Sequence, residues 1–359
     1  MRVAVLGVGL IGGSVALAAR QRLQASVTGY DAAPAALERA ITLGALDRAT
    51  RSVAEAAADA EAVVVAVPVG SVTELVAEAL HAAPADCVVT DVGSTKLAVV
   101  TAGDDPRFVG GHPLAGAENA GVEHARADLF EAATWYLTPS ADTSGVLYER
   151  LHRLLHGLGA RPTAIDAATH DRIMATVSHL PHVLANVLVS QAAGTLDTDA
   201  HPPARLPSTG PSFRDATRVA GAPSAIWTDI YLSNREALMA EIDGAMAGLR
   251  DVRAALATAD RDAITSWNET AAADRRRLLE SQLAGGDLHE LRASVPNRPG
   301  VVAQIALELG RAGVNITDMA LYPARDMKEG VVAMWIAGET ATERARQMIA
   351  GLGFPVARP

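Results

Sequence analysis

The run VAVLGVGLIGGSVALAA, starting at Val3, sets three glycines, Gly7, Gly9 and Gly12, between a β-branched stretch and an Ala-rich helical one. The next apolar run, SVTGYD, ends on Asp31. A Gly-x-Gly-x-x-Gly turn alone is a weak signal. Placed after a strand, before a helix and with an acid at the end of the second strand, it constrains the chain to a dinucleotide-binding βαβ unit. The glycines allow a tight turn and close backbone approach to a pyrophosphate, and the free N–H groups of the helix start favour an anion. Gly7, Gly9, Leu10, Ile11 and Gly12 are therefore expected at the pyrophosphate, and Asp31 at the ribose hydroxyls. Asp31 would repel a 2′-phosphate and DAAP supplies no arginine to neutralise one, so NAD is expected over NADP. A glycine turn without a ligand is the competing reading.

The same alternation continues to about Ile165, through AVVVAVP, CVVTDVG, RFVGG and TWYLTP. Several runs are apolar throughout, as for strands covered on both faces. This predicts a parallel sheet with helices on both sides, an α/β Rossmann domain over residues 1–165. Ligands bind outside the carboxyl ends of such strands. Val67, Pro68, Ser94 and His112 should therefore rim one crevice.

From about Asp166 to Gly285 no convincing strand occurs, and apolar residues follow helical spacing. This predicts an all-α second domain, 166–285, interrupted by a mobile loop at 197–213, DTDAHPPARLPSTGPSF. Long apolar helix faces point to a homodimer. After AGGD at Ala284–Asp287, residues 286–359 read strand, helix, strand, strand, helix, strand: a βαββαβ, ferredoxin-like unit.

The net charge of −10 is spread along the 359 residues, which argues against a nucleic-acid partner. One cysteine, Cys87, excludes an intrachain disulfide and a cysteine zinc cluster. The chain opens directly into a strand, with no signal-peptide pattern, and no apolar run looks long enough to span a bilayer. A cytoplasmic protein without a membrane partner is expected. Lysine occurs only at 96 and 328.

GVGLIGGS, DVGSTK, GGHPLAGAENAG, SHLPH and SFRDATRVAGAPSAIWTDIYLSNRE together resemble the prephenate/arogenate dehydrogenases of tyrosine biosynthesis. SVPNRPGVVAQIALELGRAGVNITDM resembles an ACT domain, a module that often binds amino-acid effectors. The resemblance implies NAD-dependent oxidation of a cyclohexadienyl carbinol with loss of CO₂. Prephenate would give 4-hydroxyphenylpyruvate; arogenate, the alternative substrate, would give tyrosine.

Hydride can leave the carbinol carbon only as its hydroxyl sheds a proton, and a neutral imidazole suits that task. By resemblance the imidazole is His112, with its flanking glycines permitting close approach to cofactor and substrate. Ser94 orients the ring or binds the same hydroxyl. A turn histidine bonded to backbone is the plain alternative. The substrate carboxylates need cations, and Arg214 and Arg218 stand four apart on one helical face. Arg218 is the implied anchor; a surface pair is the alternative. Asp215 is expected to steady one of these arginines or a histidine, with a helix-capping or solvated role as the alternative. His182 is implied to point into the crevice and His179 to shape it, with a core histidine as the lesser alternative for His179. No third ligand supports a metal at these histidines. Glu118 resembles an acid at the crevice mouth, and Trp227 is expected to pack below the site, with a purely structural role as an equal alternative. In the C-terminal module Asn297 and Asn315 are the candidate effector residues, with tyrosine as effector; a module that binds nothing is the alternative.

Two other classes fit parts of the pattern. A β-hydroxyacid dehydrogenase would use a lysine on a helix of the second domain, and 166–285 contains none. A non-enzymatic dinucleotide and amino-acid sensor would not need His112, Ser94 and Arg218 together.

Overall fold

The computed structural model describes the chain except residues 103–104, 117–118, 195–209, 282–286, 297–300, 302–303, 306–307, 310–311, 313, 315 and 325–327, and the side chains of 279–281, 317–319, 321 and 323. The chain packs into two compact units, Met1–Ala247 and Gly248–Pro359.

The first unit is built on an eight-stranded sheet. Its strands are β1 (Arg2–Leu6), β2 (Ser26–Tyr30), β3 (Arg48–Ala49), β4 (Ala62–Val65), β5 (Val88–Asp91), β6 (Phe108–Pro113), β7 (Thr134–Thr138) and β8 (Arg161–Ala164). They lie in the order β3-β2-β1-β4-β5-β6-β7-β8. Alternate residues of β1 feed two separate cores. Val3 and Val5 pack with the helix Leu10–Leu23, whereas Ala4 and Leu6 pack with Val53, Val72 and Val76. A strand buried on both faces has no polar side to show, which is why these runs are apolar throughout.

The sheet is not wholly parallel, contrary to the expectation from the alternation. β7 runs antiparallel to β6, and β8 runs parallel to β7. The link from β6 to β7 carries a short 3₁₀ turn, Val122–His124, and no crossover helix among its described residues. A parallel return needs a long crossover, usually helical. The reversal sets His112 directly opposite Tyr136.

The helical part of this unit begins with Ala167–Met174, widens into a π-turn at Ala175–His179 and continues as Leu180–Gly194. The widening immediately precedes Pro181. That residue has no N–H to give, and its ring would press on the carbonyl of Val177, four residues back. By length and composition this helix could cross a bilayer, which corrects the reading that no run is long enough. Its His170, Asp171, His179 and His182 are nevertheless buried in the fold.

Residues 195–209 of the expected loop lie outside the described residues. Its last part is not loop: Pro211–Thr217 is a helix with proline in its first turn, where a missing N–H costs nothing. Ser224–Ser233 and Arg235–Ala257 follow.

The second unit holds the end of that helix, the helix Arg261–Ser281 and a four-stranded antiparallel sheet. Its strands are β9 (Leu288–Pro296), β10 (Ile316–Pro323), β11 (Glu329–Ala337) and β12 (Val356–Ala357), in the order β10-β11-β9-β12. Leu291, Ala293 and Val295 alternate onto one face, where they pack with Ile305, Leu309 and Ile349.

Candidate active site

Two of the expected glycines are required by backbone proximity. Gly7 adopts φ +91°, and a Cβ on Gly12 would overlap the Gly7 carbonyl oxygen. Gly9 differs: nothing stands within 4 Å of where its Cβ would be. It caps the helix Leu10–Leu23 without any side-chain hydrogen bond, and the first N–H groups of a helix have no intrahelical acceptor. Beside this turn is a cavity of ≈ 370 Å³ lined by Gly7, Gly9, Asp31, Val67, Pro68 and Glu78 among others. Asp31 accepts the N–H of Val8 at 2.7 Å and of Ala33 at 2.8 Å, which holds its carboxylate at the end of β2. These features fit a dinucleotide, and the carboxylates of Asp31 and Glu78 disfavour a 2′-phosphate.

His112 lies in the last turn of pleat of β6, half-buried. The glycines before it serve packing more than ligand approach. A Cβ on Gly111 would stand 2.5 Å from the Asp91 carbonyl oxygen and 2.7 Å from Thr90 Oγ1. Only glycine lets β6 run this close to β5.

The His112 ring is held through its Nδ1, which lies 2.9 Å from His170 Nε2. His170 Nδ1 in turn lies 2.8 Å from Asp171 Oδ1. The Asp171 carboxylate also accepts the backbone N–H of Lys96 at 2.7 Å and of Leu97 at 2.9 Å. One carboxylate thus ties the base to the loop that carries Ser94. Burial pushes the His112 pKa well below the ordinary imidazole range; the Lys96 ammonium pushes the same way, as His170 and His179 would if protonated. The imidazole is neutral and ready to accept a proton. His170 and Asp171 were not among the residues expected from the sequence. The available signal was THDR in the first turns after a helix-capping Asp166, and such a pattern is common on helices.

Ser94 is half-buried between β5 and the helix Leu97–Ala102. Among the described residues, the hydrogen bond that orients His112 goes to His170, not to Ser94. Lys96 is fully buried beneath this loop and paired with Asp91. Asp91 also accepts the N–H of Gly93 at 2.8 Å and of Gly111 at 3.0 Å. Burial lowers the Lys96 pKa, while Asp91 opposes that shift.

His179 and His182 are both buried. Asn234 Nδ2 donates to the Asp171 carbonyl at 2.8 Å and lies 3.1 Å from His179 Nδ1, so that nitrogen is an acceptor and the ring is neutral. Burial lowers the His179 pKa to about 4. His182 stacks on Trp227, with ring centroids 3.6 Å apart and planes at 6°. Its Nδ1 meets the Tyr231 hydroxyl. Its Nε2 is buried without a hydrogen bond of good geometry, although the Val219 carbonyl is near enough to favour the charged ring. A buried imidazole nitrogen left open in this way suits a ligand donor or acceptor.

Arg214 and Arg218 do not share one continuous helix. The α-helix ends at Thr217 and tightens into a 3₁₀ turn, Arg218–Gly221, ahead of Pro223. Both arginines and Asp215 are exposed. Glu118, Asn297 and Asn315 lie outside the described residues.

Residues 15–164 match the family model for the nucleotide-binding domain of prephenate dehydrogenase, and 166–270 the model for its dimerization domain. The chain is 31% identical over 351 residues to a prephenate dehydrogenase of Bacillus subtilis, covering 96% of this chain and 94% of that one. It is 35% identical over 265 residues to a cyclohexadienyl dehydrogenase of Zymomonas mobilis, covering 72% and 90%. The crystal structure of prephenate dehydrogenase from A. aeolicus with hydroxyphenyl propionate and NAD⁺ superposes with a TM-score of 0.70 at 29% identity, over 77% of this chain and 97% of that one. Synechocystis arogenate dehydrogenase superposes with a TM-score of 0.69 at 26% identity, over 77% and 100%.

Proposed function

This chain belongs to the prephenate dehydrogenase family, and on that premise we propose that it is an NAD-dependent oxidoreductase converting prephenate to 4-hydroxyphenylpyruvate and CO₂ in tyrosine biosynthesis. The observation that carries the reading is the neutral, half-buried imidazole of His112 at the carboxyl end of β6, in the sheet whose β1 and β2 ends carry Gly7, Gly9 and Asp31.

Bound NAD, held by Gly7, Gly9, Leu10, Ile11, Gly12, Asp31, Val67 and Pro68, would accept the hydride. The work of the chain's own residues is proton handling and orientation. His112 takes the proton of the ring hydroxyl as the C–H bond breaks. The ring carboxylate then leaves as CO₂, and its bonding electrons complete the aromatic ring. The oxygen, now a phenolate, takes a proton back from His112. The imidazole therefore ends the cycle neutral, as it began. Ser94 is assigned to the same hydroxyl, Arg218 to a substrate carboxylate with Arg214 in support, and His182 with its open Nε2 to the substrate crevice. His179 supports the crevice wall, and Glu118 is assigned to its mouth.

Arogenate is the second reading, because relatives that carry the cyclohexadienyl and arogenate names also match this chain. A homodimer is the proposed assembly, supported by the exposed Val177, Val187, Leu232 and Met239 on the helical part. The C-terminal unit is proposed as an ACT-type regulatory module with tyrosine as effector at Asn297 and Asn315. Its antiparallel order β10-β11-β9-β12 supports that fold. The cytoplasm is the proposed compartment.

NADH formation with prephenate and with arogenate, each compared by kcat/KM, tests the reading. Prephenate is expected to be the better substrate. His112→Asn should lower kcat by about 10²–10⁴-fold, the range for a well-placed base. Turnover of neither substrate, or a His112→Asn enzyme that keeps most of its kcat, overturns it.

A further inference from the structure

We propose that His170 and Asp171 are positioning residues that decide which nitrogen of His112 faces the substrate. This rests on the reading of His112 as the base.

The argument starts at Asp171. Its two oxygens accept the N–H groups of Lys96 and Leu97, so the side chain is a carboxylate with acceptor capacity only. Its hydrogen bond to His170 Nδ1 therefore takes a proton from that nitrogen. A neutral His170 with a proton on Nδ1 has a bare Nε2. That nitrogen, 2.9 Å from His112 Nδ1, can only accept, so His112 carries its proton on Nδ1. The lone pair of His112 is thereby left on Nε2, the nitrogen for which the described residues supply no hydrogen-bond partner. The opposite arrangement, with His170 charged, would make His112 Nδ1 the acceptor and put a proton on Nε2. That tautomer cannot take a proton from a hydroxyl there.

The carboxylate also acts when the proton arrives. His112 becomes an imidazolium in a setting where burial and the nearby Lys96 oppose charge. A negative group reached through His170 offsets that cost at the moment of transfer. The charged or titratable groups around His112 among the described residues are His170 and Asp171 from the helix Ala167–Met174, His179 from the π-turn, Lys96 with Asp91 from the end of β5, and Tyr136 opposite on β7. Asp171 is the carboxylate joined to the ring through hydrogen bonds; Asp91 is spent on Lys96 and on backbone N–H groups.

Asp171 also holds the start of the helix Leu97–Ala102 through hydrogen bonds, so the test uses His170 as well, whose ring hydrogen bonds go to His112 and Asp171 rather than to that helix. His170→Leu removes the acceptor and should lower kcat by about 10²-fold or more, with KM for NAD and substrate held within about threefold. His170→Gln offers a carbonyl oxygen to His112 Nδ1 and should recover at least about tenfold of that loss. Asp171→Asn should lower kcat and move the acid limb of the kcat/KM profile to lower pH, because the protonated His112 loses its counter-charge. A His170→Leu enzyme within threefold of the parent, a Gln variant no better than Leu, or an acid limb that stays in place in a folded Asp171→Asn enzyme overturns the proposal. If Asp171→Asn does not fold, the two His170 variants decide. The proposal fails alone if His112→Asn is inactive while His170→Leu is not. If His112→Asn keeps its turnover, the reading of the base itself fails.

Discussion

Asp91 holds the backbone of Gly111: the N–H one residue before the base donates to Asp91 Oδ1 at 3.0 Å. The other oxygen of that carboxylate pairs with the fully buried Lys96. The ion pair, the Ser94 loop and the His112 strand are therefore fastened at one point. In a chain with two lysines, one is spent here, and burying a charge of this kind is tolerated only with its partner present.

Asp91→Ala should consequently destabilise the folded protein by about 3–5 kcal/mol, because it strands Lys96 without a counter-ion. The Asp91→Asn, Lys96→Met pair should be milder than Asp91→Ala alone. Denaturant unfolding of the three proteins checks the order. A single variant no worse than the double would show that the pair does not hold the loop.

Gly9 and Gly12 should separate binding from folding. Gly12→Ala drives a methyl group into the Gly7 carbonyl and should lower both thermal stability and NAD affinity. Gly9→Ala meets no protein atom within 4 Å, so it should melt with the parent enzyme while NAD binding weakens by about tenfold or more, since the methyl group fills the space meant for pyrophosphate. Thermal melts alongside NAD titration by fluorescence measure both. Unchanged NAD affinity in Gly9→Ala would remove the pyrophosphate from this turn.

Arg218→Ala should raise KM for the substrate by about 10–100-fold and change kcat much less, as expected when an anchor that grips ground state and transition state alike is lost. Steady-state kinetics at saturating NAD show the split. A loss confined to kcat would place Arg218 at the reacting centre instead.

Acid should destabilise the fold through His179. Its pKa is lowered to about 4 in the folded protein against the ordinary value of 6.5, so the unfolded chain binds the proton first. The stability tied to the neutral ring is complete above pH 6.5 and declines as the pH falls from 6.5 towards 4. His182, also lowered by burial, adds in the same direction. His179→Gln should flatten this part of the stability–pH curve, measured by denaturant midpoint at successive pH values. An unchanged slope would mean that the ring is already charged in the fold.

The local pattern determined a great deal. The Gly7–Gly12 turn, its strand and helix and the acid at Asp31 form a contiguous unit whose physics is short-range. The same holds for the helical periodicity after Asp166, whereas His112 is marked by the family resemblance of GGHPLAGAENAG rather than by local physics. Tertiary structure decided the rest. The reversal of β7 and β8 depends on how a link without a described helix folds back, and the break between Arg214 and Arg218 on how the chain meets Pro223. The His112–His170 hydrogen bond joins residues 58 apart in the chain, and Asp171 reaches 75 residues back to the Lys96 N–H. Hydrophobic spacing records which face of an element is buried. It carries no record of which two polar groups meet when separate elements pack, and the orientation of the base depends on that meeting.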